Sequence, residues 1–214
     1  MNPEDQIILI DKPAGISSFG AVAKVRGRLK TEFGRKLKVG HTGTLDPFAT
    51  GLLILLSGKM TKKSNDFLKL DKVYEAIIHL GANSSTGDPE GEITEVSSKQ
   101  PTQTEINHVI DEFIGEITQT PPRFSAIKIN GERAYKLARA GKDFEISSRK
   151  VTIYKLEILD YSYPNLKIRC HVSSGTYIRS LAEDIGVKLG TGAYLTALRR
   201  LRIGDYSVDD ASVL

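Results

Sequence analysis

From Leu166 to Val172 the apolar residues Leu166, Ile168, Cys170 and Val172 alternate with Lys167, Arg169 and His171. A period of two buries one face of a strand and wets the other. Residues 151–161 precede this segment across Tyr163-Pro164-Asn165, and the two are predicted to pair antiparallel. Leu52 to Leu56 abandons the alternation for an unbroken apolar run closed by Ser57-Gly58. So short a run between turn residues suits a buried strand better than a helix. Helical spacing is confined to a few stretches. Ala21, Val22, Val25 and Leu29 share one face of a helix that Ser17 or Ser18 can cap and that runs to about Lys30. Thr102-Gln103-Thr104-Glu105 is a capping box for a helix ending at Gly115. A short basic helix is predicted over residues 132–140, with Gly141 at its end, and another follows the turn at 173–177 and reaches about Leu189.

The remaining segments read as strands and turns. Residues 7–10 form a strand running into the turn Asp11-Lys12-Pro13-Ala14-Gly15, and residues 72–81 form another. Residues 84–91, with Asp88-Pro89 and Gly91, form a loop; residues 125–129 form a strand closed by the hairpin signal Asn130-Gly131. Residues 193–203 are the last strand. Strand runs mixed with a few helices indicate an α+β fold around a largely antiparallel sheet flanked by helices. With no internal repeat or low-complexity linker, a single domain over residues 1–214 is expected.

Charge changes this picture locally. Thirty basic against 26 acidic residues leave a net charge of only +4, which permits a polyanionic partner without demanding one. Between positions 24 and 38, however, Lys24, Arg26, Arg28, Lys30, Arg35, Lys36 and Lys38 face Glu32 alone, as a nucleic-acid contact or a solvated helix face would. The single cysteine, Cys170, excludes an internal disulfide and a cysteine-rich zinc site. The chain starts with no charged-then-apolar signal pattern, and no apolar run approaches the roughly 20 residues of a membrane span. A cytoplasmic protein with no membrane partner is expected.

The candidate chemistry centres on Gly40-His41-Thr42-Gly43-Thr44-Leu45-Asp46-Pro47-Phe48-Ala49-Thr50-Gly51. Asp46 followed by Pro47 can be a helix N-cap with proline at the first helical position, or an Asp-Pro turn. It can equally be an acid on a shaped loop, anchored by the buried strand that follows. Other catalytic classes lack their signatures. The four histidines show no metal-ligand spacing, residues 51–59 lack the glycine spacing of a phosphate loop, and neither Gly-x-Gly-x-x-Gly nor Gly-x-Ser-x-Gly occurs. No metal and no cofactor are expected.

Residues 40–53 closely resemble the catalytic motif of the TruB family of pseudouridine synthases. Asp11-Lys12-Pro13-x-Gly15-x-Ser17-Ser18 is similar to that family's opening signature, Lys72-Val73-Tyr74-Glu75-Ala76 to its tyrosine motif, Gly175-Thr176-Tyr177-Ile178-Arg179 to its arginine motif, and Ala197-Leu198-Arg199-Arg200-Leu201 to its C-terminal motif. The resemblance spans about residues 7 to 204. It implies a pseudouridine synthase fold with an RNA-clasping insertion at about residues 121–150, and a tRNA pseudouridine synthase that isomerises uridine-55 in the T loop. It assigns catalysis to Asp46 as nucleophile, with Arg179 and Tyr74. It assigns the flipped base and its surroundings to His41, Tyr74, Tyr177 and Leu198, with Lys12 near the active site. The implied partner is the T arm of tRNA, and the protein is expected to be a monomer. Many bacterial relatives continue into a small RNA-binding domain of the PUA type; this chain stops where that would begin, so none is expected. Two rivals are a guide-RNA-dependent enzyme of ribosomal RNA and a non-catalytic tRNA-folding module. A glycosidase using Asp46 is a third, but no motif supplies its second carboxylate.

Overall fold

In a computed structural model, which describes residues 3–214, the chain forms two compact units, Met1–Glu75 with Leu198–Leu214, and Ala76–Ala197. The elements begin with β1 (Ile7–Lys12), α1 (Ser18–Phe33), β2 (Val39–His41), β3 (Thr50–Ser57), α2 (Ser64–Leu68) and β4 (Lys72–Leu80). Then come β5 (Ala82–Ser84), β6 (Ile93–Glu95), α3 (Gln103–Glu112), β7 (Gly115–Gln119), β8 (Lys128–Ile129), β9 (Glu132–Arg133) and α4 (Ala134–Arg139). The chain closes with β10 (Arg149–Ser162), β11 (Asn165–Val172), α5 (Ile178–Leu189), β12 (Ala193–Ile203), β13 (Tyr206–Ser207) and β14 (Ser212–Val213). The fold is mixed α and β with a largely antiparallel main sheet.

In the first unit β3 pairs antiparallel with β1, from Ile7↔Leu56 to Lys12↔Gly51, and parallel with the last part of β12 at Arg199↔Thr50 and Arg200↔Gly51. Leu53 and Leu55 pack with Ile8, Ile10 and the Ala21, Val22, Val25 and Leu29 face of α1. Leu52, Ile54 and Leu56 pack on the other side with Phe67, Ile203 and Val208. A strand covered on both faces has no wet positions, which is why its sequence does not alternate. Ser17 caps α1, its side chain accepting from the Gly20 amide, and Gly34 ends the helix at φ 68°.

In the second unit the order is β4-β11-β10-β7, with β10 antiparallel to β11 and to β7. Leu166, Ile168, Cys170 and Val172 of β11 are all buried, as their alternation requires. The capping box at Thr102 and Glu105 is complete, and α3 packs on α5 and β10.

Two expectations need revision. No helix follows Asp46-Pro47: residues 42–49 are irregular, and the Ala49 amide donates to the Asp46 carbonyl at 3.2 Å, which leaves the turn and shaped-loop readings. The hairpin at Asn130-Gly131 is present, with both residues at positive φ, but its strands are two residues each and the basic helix starts at Ala134 instead of Glu132. The hairpin draws Glu132 and Arg133 into strand pairing, so the helix begins only after them.

Candidate active site

The residues singled out from sequence fall in both units: Lys12, His41, Asp46, Tyr74 and Leu198 in the first, Tyr177 and Arg179 in the second. Asp46 is half-buried on the irregular segment between β2 and β3. This segment has no regular backbone ladder, so its polar groups need other partners. Buried side chains supply them. The Ser18 hydroxyl donates to the Leu45 carbonyl at 2.8 Å and accepts from the Leu45 amide at 2.7 Å. Lys12 is fully buried, and its Nζ donates to the carbonyls of Pro13 and Ile16 at 2.8 Å and of Pro47 at 3.3 Å. Its amine thus holds the residue next to Asp46.

Arg200 clamps the segment from the other side. It is 1 % exposed, and its Nε donates to the Leu52 carbonyl at 2.8 Å and its Nη2 to the Gly43 carbonyl at 3.2 Å. Gly51, at φ +103°, lies so close to β12 that a Cβ there would sit 2.2 Å from the Arg200 carbonyl oxygen. Glycine is thus required at this crossing. A backbone pinned by Ser18, Lys12 and Arg200 can hold one carboxylate in a fixed place, which is what a nucleophile needs. His41 sits at the end of β2, and its Nδ1 accepts from the Gly43 amide at 3.4 Å. Tyr74 and Leu198 are buried, on β4 and β12.

Near Arg200, Lys72 is 7 % exposed and donates to the carbonyls of Leu68, at 2.8 Å, and Leu70. Burial, reinforced by the Arg200 charge, pulls its pKa down to about 8, and Asp71 opposes this.

In the second unit Arg179 lies in the first turn of α5, 4 % exposed. It meets Asp88 Oδ2 at 3.2 Å and donates to the carbonyls of Thr86 and Phe124, both at 2.8 Å. Asp88 is equally buried; its Oδ1 accepts from the Thr86 hydroxyl at 2.6 Å and from the Glu90 amide at 3.0 Å. Burial pushes the neighbouring Glu183 carboxyl above its usual range, with Arg179 opposing the rise. Tyr177 is fixed by the Gln119 side chain, which accepts from its amide at 2.8 Å and donates to its carbonyl at 3.1 Å. The Arg149 guanidinium lies over the Tyr177 ring at 5.0 Å.

Ser18, Arg200, Asp88 and Gln119 were not singled out as site residues. Asp88-Pro89 reads as an ordinary turn, and Arg200 reads as one more basic residue in a strand motif. Their contacts span from 27 to 157 positions of sequence wherever they reach another segment, beyond any local pattern. Among the described residues no group of three or more His, Cys, Asp or Glu side chains is placed to hold a metal ion.

Comparison with known proteins places this arrangement. The family model for the N-terminal domain of TruB family pseudouridylate synthases matches residues 28–178, and that for the tRNA pseudouridylate synthase B C-terminal domain matches residues 179–214. The chain is 46 % identical over 211 residues to tRNA pseudouridine synthase B of Cupriavidus taiwanensis, covering 97 % of this chain but 65 % of that relative. It is 45 % identical over 218 residues to the enzyme of the same name from Flavobacterium johnsoniae, covering 99 % of this chain and 95 % of that relative. Among solved structures, a Cbf5-Nop10-Gar1 complex aligns with a TM-score of 0.73 at 30 % identity, over 99 % of this chain and 53 % of that one. The motifs around Asp46, Tyr74 and Tyr177 all lie inside the first family match, and Arg179 opens the second. On this evidence of sequence, motif and fold together, the chain belongs to the TruB family of pseudouridylate synthases.

Proposed function

We propose that this chain is a tRNA pseudouridine synthase that converts the T-loop uridine at position 55 into pseudouridine, with Asp46 as its nucleophile. The observation that carries the reading is the pinned segment around Asp46: one half-buried carboxylate on a backbone fixed by three buried side chains. The reaction breaks the N1–C1′ bond, turns the base and forms C5–C1′. C5 loses a proton and N1 gains one, so no oxidant, cofactor or energy source is needed. A carboxylate can serve as the transient nucleophile, at C1′ or at C6, and leave again. The target base must first leave its stack, at about a few kcal/mol. His41, Tyr74, Tyr177 and Leu198 are assigned to the flipped base and the space it vacates, and Arg179 to support of the reaction. Lys12 acts through the backbone that carries Asp46. The T arm of tRNA is the partner, residues 121–150 clasp it, and the protein works as a cytoplasmic monomer.

The curated relatives at 45–46 % identity bear the name tRNA pseudouridine synthase B, which favours tRNA over a guided ribosomal substrate. Asp46→Asn separates the enzyme from a folding module. Asparagine preserves size and most hydrogen bonding, and as a turn or cap residue it ranks with aspartate. Tritium release from C5-labelled uridine in tRNA is measured beside binding on one preparation. The expected result is tight binding with no release by the variant, against full release by the wild type. Substantial release by the variant would overturn the assignment.

A further inference from the structure

The outer face of α1 departs from three habits of surface helices. Lys24 and Arg28 are both exposed four residues apart, where like charges repel. Gly27 is exposed in mid-helix, where a Cβ would meet nothing within 4 Å, so packing does not call for the weakest helix former after proline. Phe19 stands 65 % exposed, with the Arg26 guanidinium 5.9 Å from its ring centre. Departures from local rules without a packing return concentrate at functional surfaces.

At 3.6 residues per turn these positions form an ordered surface. Gly20, Ala23, Gly27 and Thr31 line up as a shallow trough of small residues. Lys30 falls along one side, and Lys24 and Arg28 along the other. Lys36 and Lys38 extend the basic tract beyond the helix and are exposed as well. Among the described residues no carboxylate pairs with Lys24, Arg28, Lys30, Lys36 or Lys38, whereas Arg35 is paired with Glu4. Glu32, four residues after Arg28, offsets one of these charges, and the face keeps a net positive field. Its N-terminal end is tied to the Asp46 segment through the Ser18–Leu45 hydrogen bonds and the Gly15 amide, which donates to the Pro47 carbonyl at 2.9 Å. From there α1 extends for about 24 Å.

We infer that this trough holds the sugar-phosphate backbone of the RNA whose uridine reaches Asp46. The inference rests on the functional reading above. Small residues let a phosphate approach the helix backbone, cations on both sides neutralise it, and Phe19 offers a ring on which an unpaired base can stack. The surface reads backbone and not sequence, so it sets affinity and register.

The test is the salt dependence of tRNA binding. Each phosphate contact adds about 0.7 to 0.9 to the slope of log K against log salt. The double variant Lys24→Gln/Arg28→Gln is expected to flatten that slope by about 1.4 to 1.8, with its unfolding temperature unchanged or raised. The control, Lys155→Gln/Lys188→Gln, removes two exposed lysines that are already paired with Glu157 and Glu112 and should leave the slope alone. Gly27→Glu, whose Cβ would meet nothing in the protein, should lower affinity at least about tenfold by setting a carboxylate in the trough. A slope unchanged in the double variant, or flattened equally in the control, overturns the inference. Tritium release by the wild type on the same tRNA reads the functional assignment separately, so the two can fail independently.

Discussion

The Asp46 segment and the clasp segment are both irregular stretches assigned to RNA, yet they are built in opposite ways. Around Asp46, three buried side chains bond the backbone, and the adjoining strand β3 has apolar packing on both faces. The clasp consists of a hairpin with two-residue strands and the six-residue helix α4, of which Ala134 is the only buried residue. Its charged residues are nearly all exposed, and Arg123 reaches its own loop through the Lys142 carbonyl at 3.1 Å and over the Phe144 ring at 4.7 Å. Few buried apolar contacts and exposed backbone bonds give a segment that opens at low free energy. The difference suits the two tasks proposed for them. A nucleophile misplaced by about 1 Å can lose on the order of 100-fold in rate, whereas a clasp must adapt to its partner.

If this contrast is sound, its most damaging break lies at Arg200. Arg200→Met removes the donors to the buried Leu52 carbonyl, at about 1–3 kcal/mol, and to the part-buried Gly43 carbonyl, at less. Single-turnover pseudouridine formation at saturating tRNA should fall by about 100-fold or more, beyond any change in tRNA affinity. Arg200→Lys keeps the charge but not the planar fork, and should recover only part of the rate. A rate within threefold of wild type in the folded methionine variant would show that the segment holds its shape without this clamp.

Deleting residues 125–141 tests the other side of the comparison. The deletion spares Phe124, whose carbonyl accepts from Arg179. Affinity for tRNA should drop by about tenfold or more, roughly 1.4 kcal/mol, and the loss in affinity should exceed the loss in single-turnover rate. A collapse of the rate with affinity intact would mean that the segment takes part in the bond chemistry.

How far the sequence exposes these two designs depends on the range of the forces. Periodicity makes β11 and the buried face of α1 legible, and an unbroken apolar run does the same for β3, because burial acts on each residue through its immediate pattern. The capping box at Thr102 and the turn at Asn130-Gly131 are legible for the same reason: their hydrogen bonds close within a few residues. The catalytic string is recognisable as a motif, but the physical cause of its shape is not. Lys12 looks like a turn lysine and Arg200 like a solvated one, since nothing nearby reveals that both are fully buried, that Lys12 reaches Pro47 beyond its local carbonyls, or that Arg200 ends on carbonyls of another segment. The Arg179–Asp88 pair joins a helix to a turn across the sequence in the same way. The short strands β2, β13 and β14 escape detection because two or three residues carry no readable period.

The smallest effect comes from the electrostatics behind the Arg200 clamp. Lys72 is held at a pKa of about 8, against an ordinary 10.5, by burial first and the Arg200 charge second. Between those two values the unfolded chain binds a proton at this position that the folded chain does not, so this group makes stability rise as pH increases from about 8 to about 10.5. Below pH 8 it is charged in both states, and the burden of burying it is fully present. Other lysines and tyrosines titrate in the same range, so the quantity to measure is the difference in unfolding free energy between wild type and Lys72→Met. That difference should shift in favour of the wild type across the window, by about 1 kcal/mol once solvent screening is counted. The shift should shrink when Arg200 is replaced by methionine, because the second cause is then gone. A difference that stays flat from pH 7 to pH 10.5 would mean that Lys72 remains charged while folded. Its bonds to the carbonyls of Leu68 and Leu70 would then offset its burial, and the clamp would carry no electrostatic burden of its own.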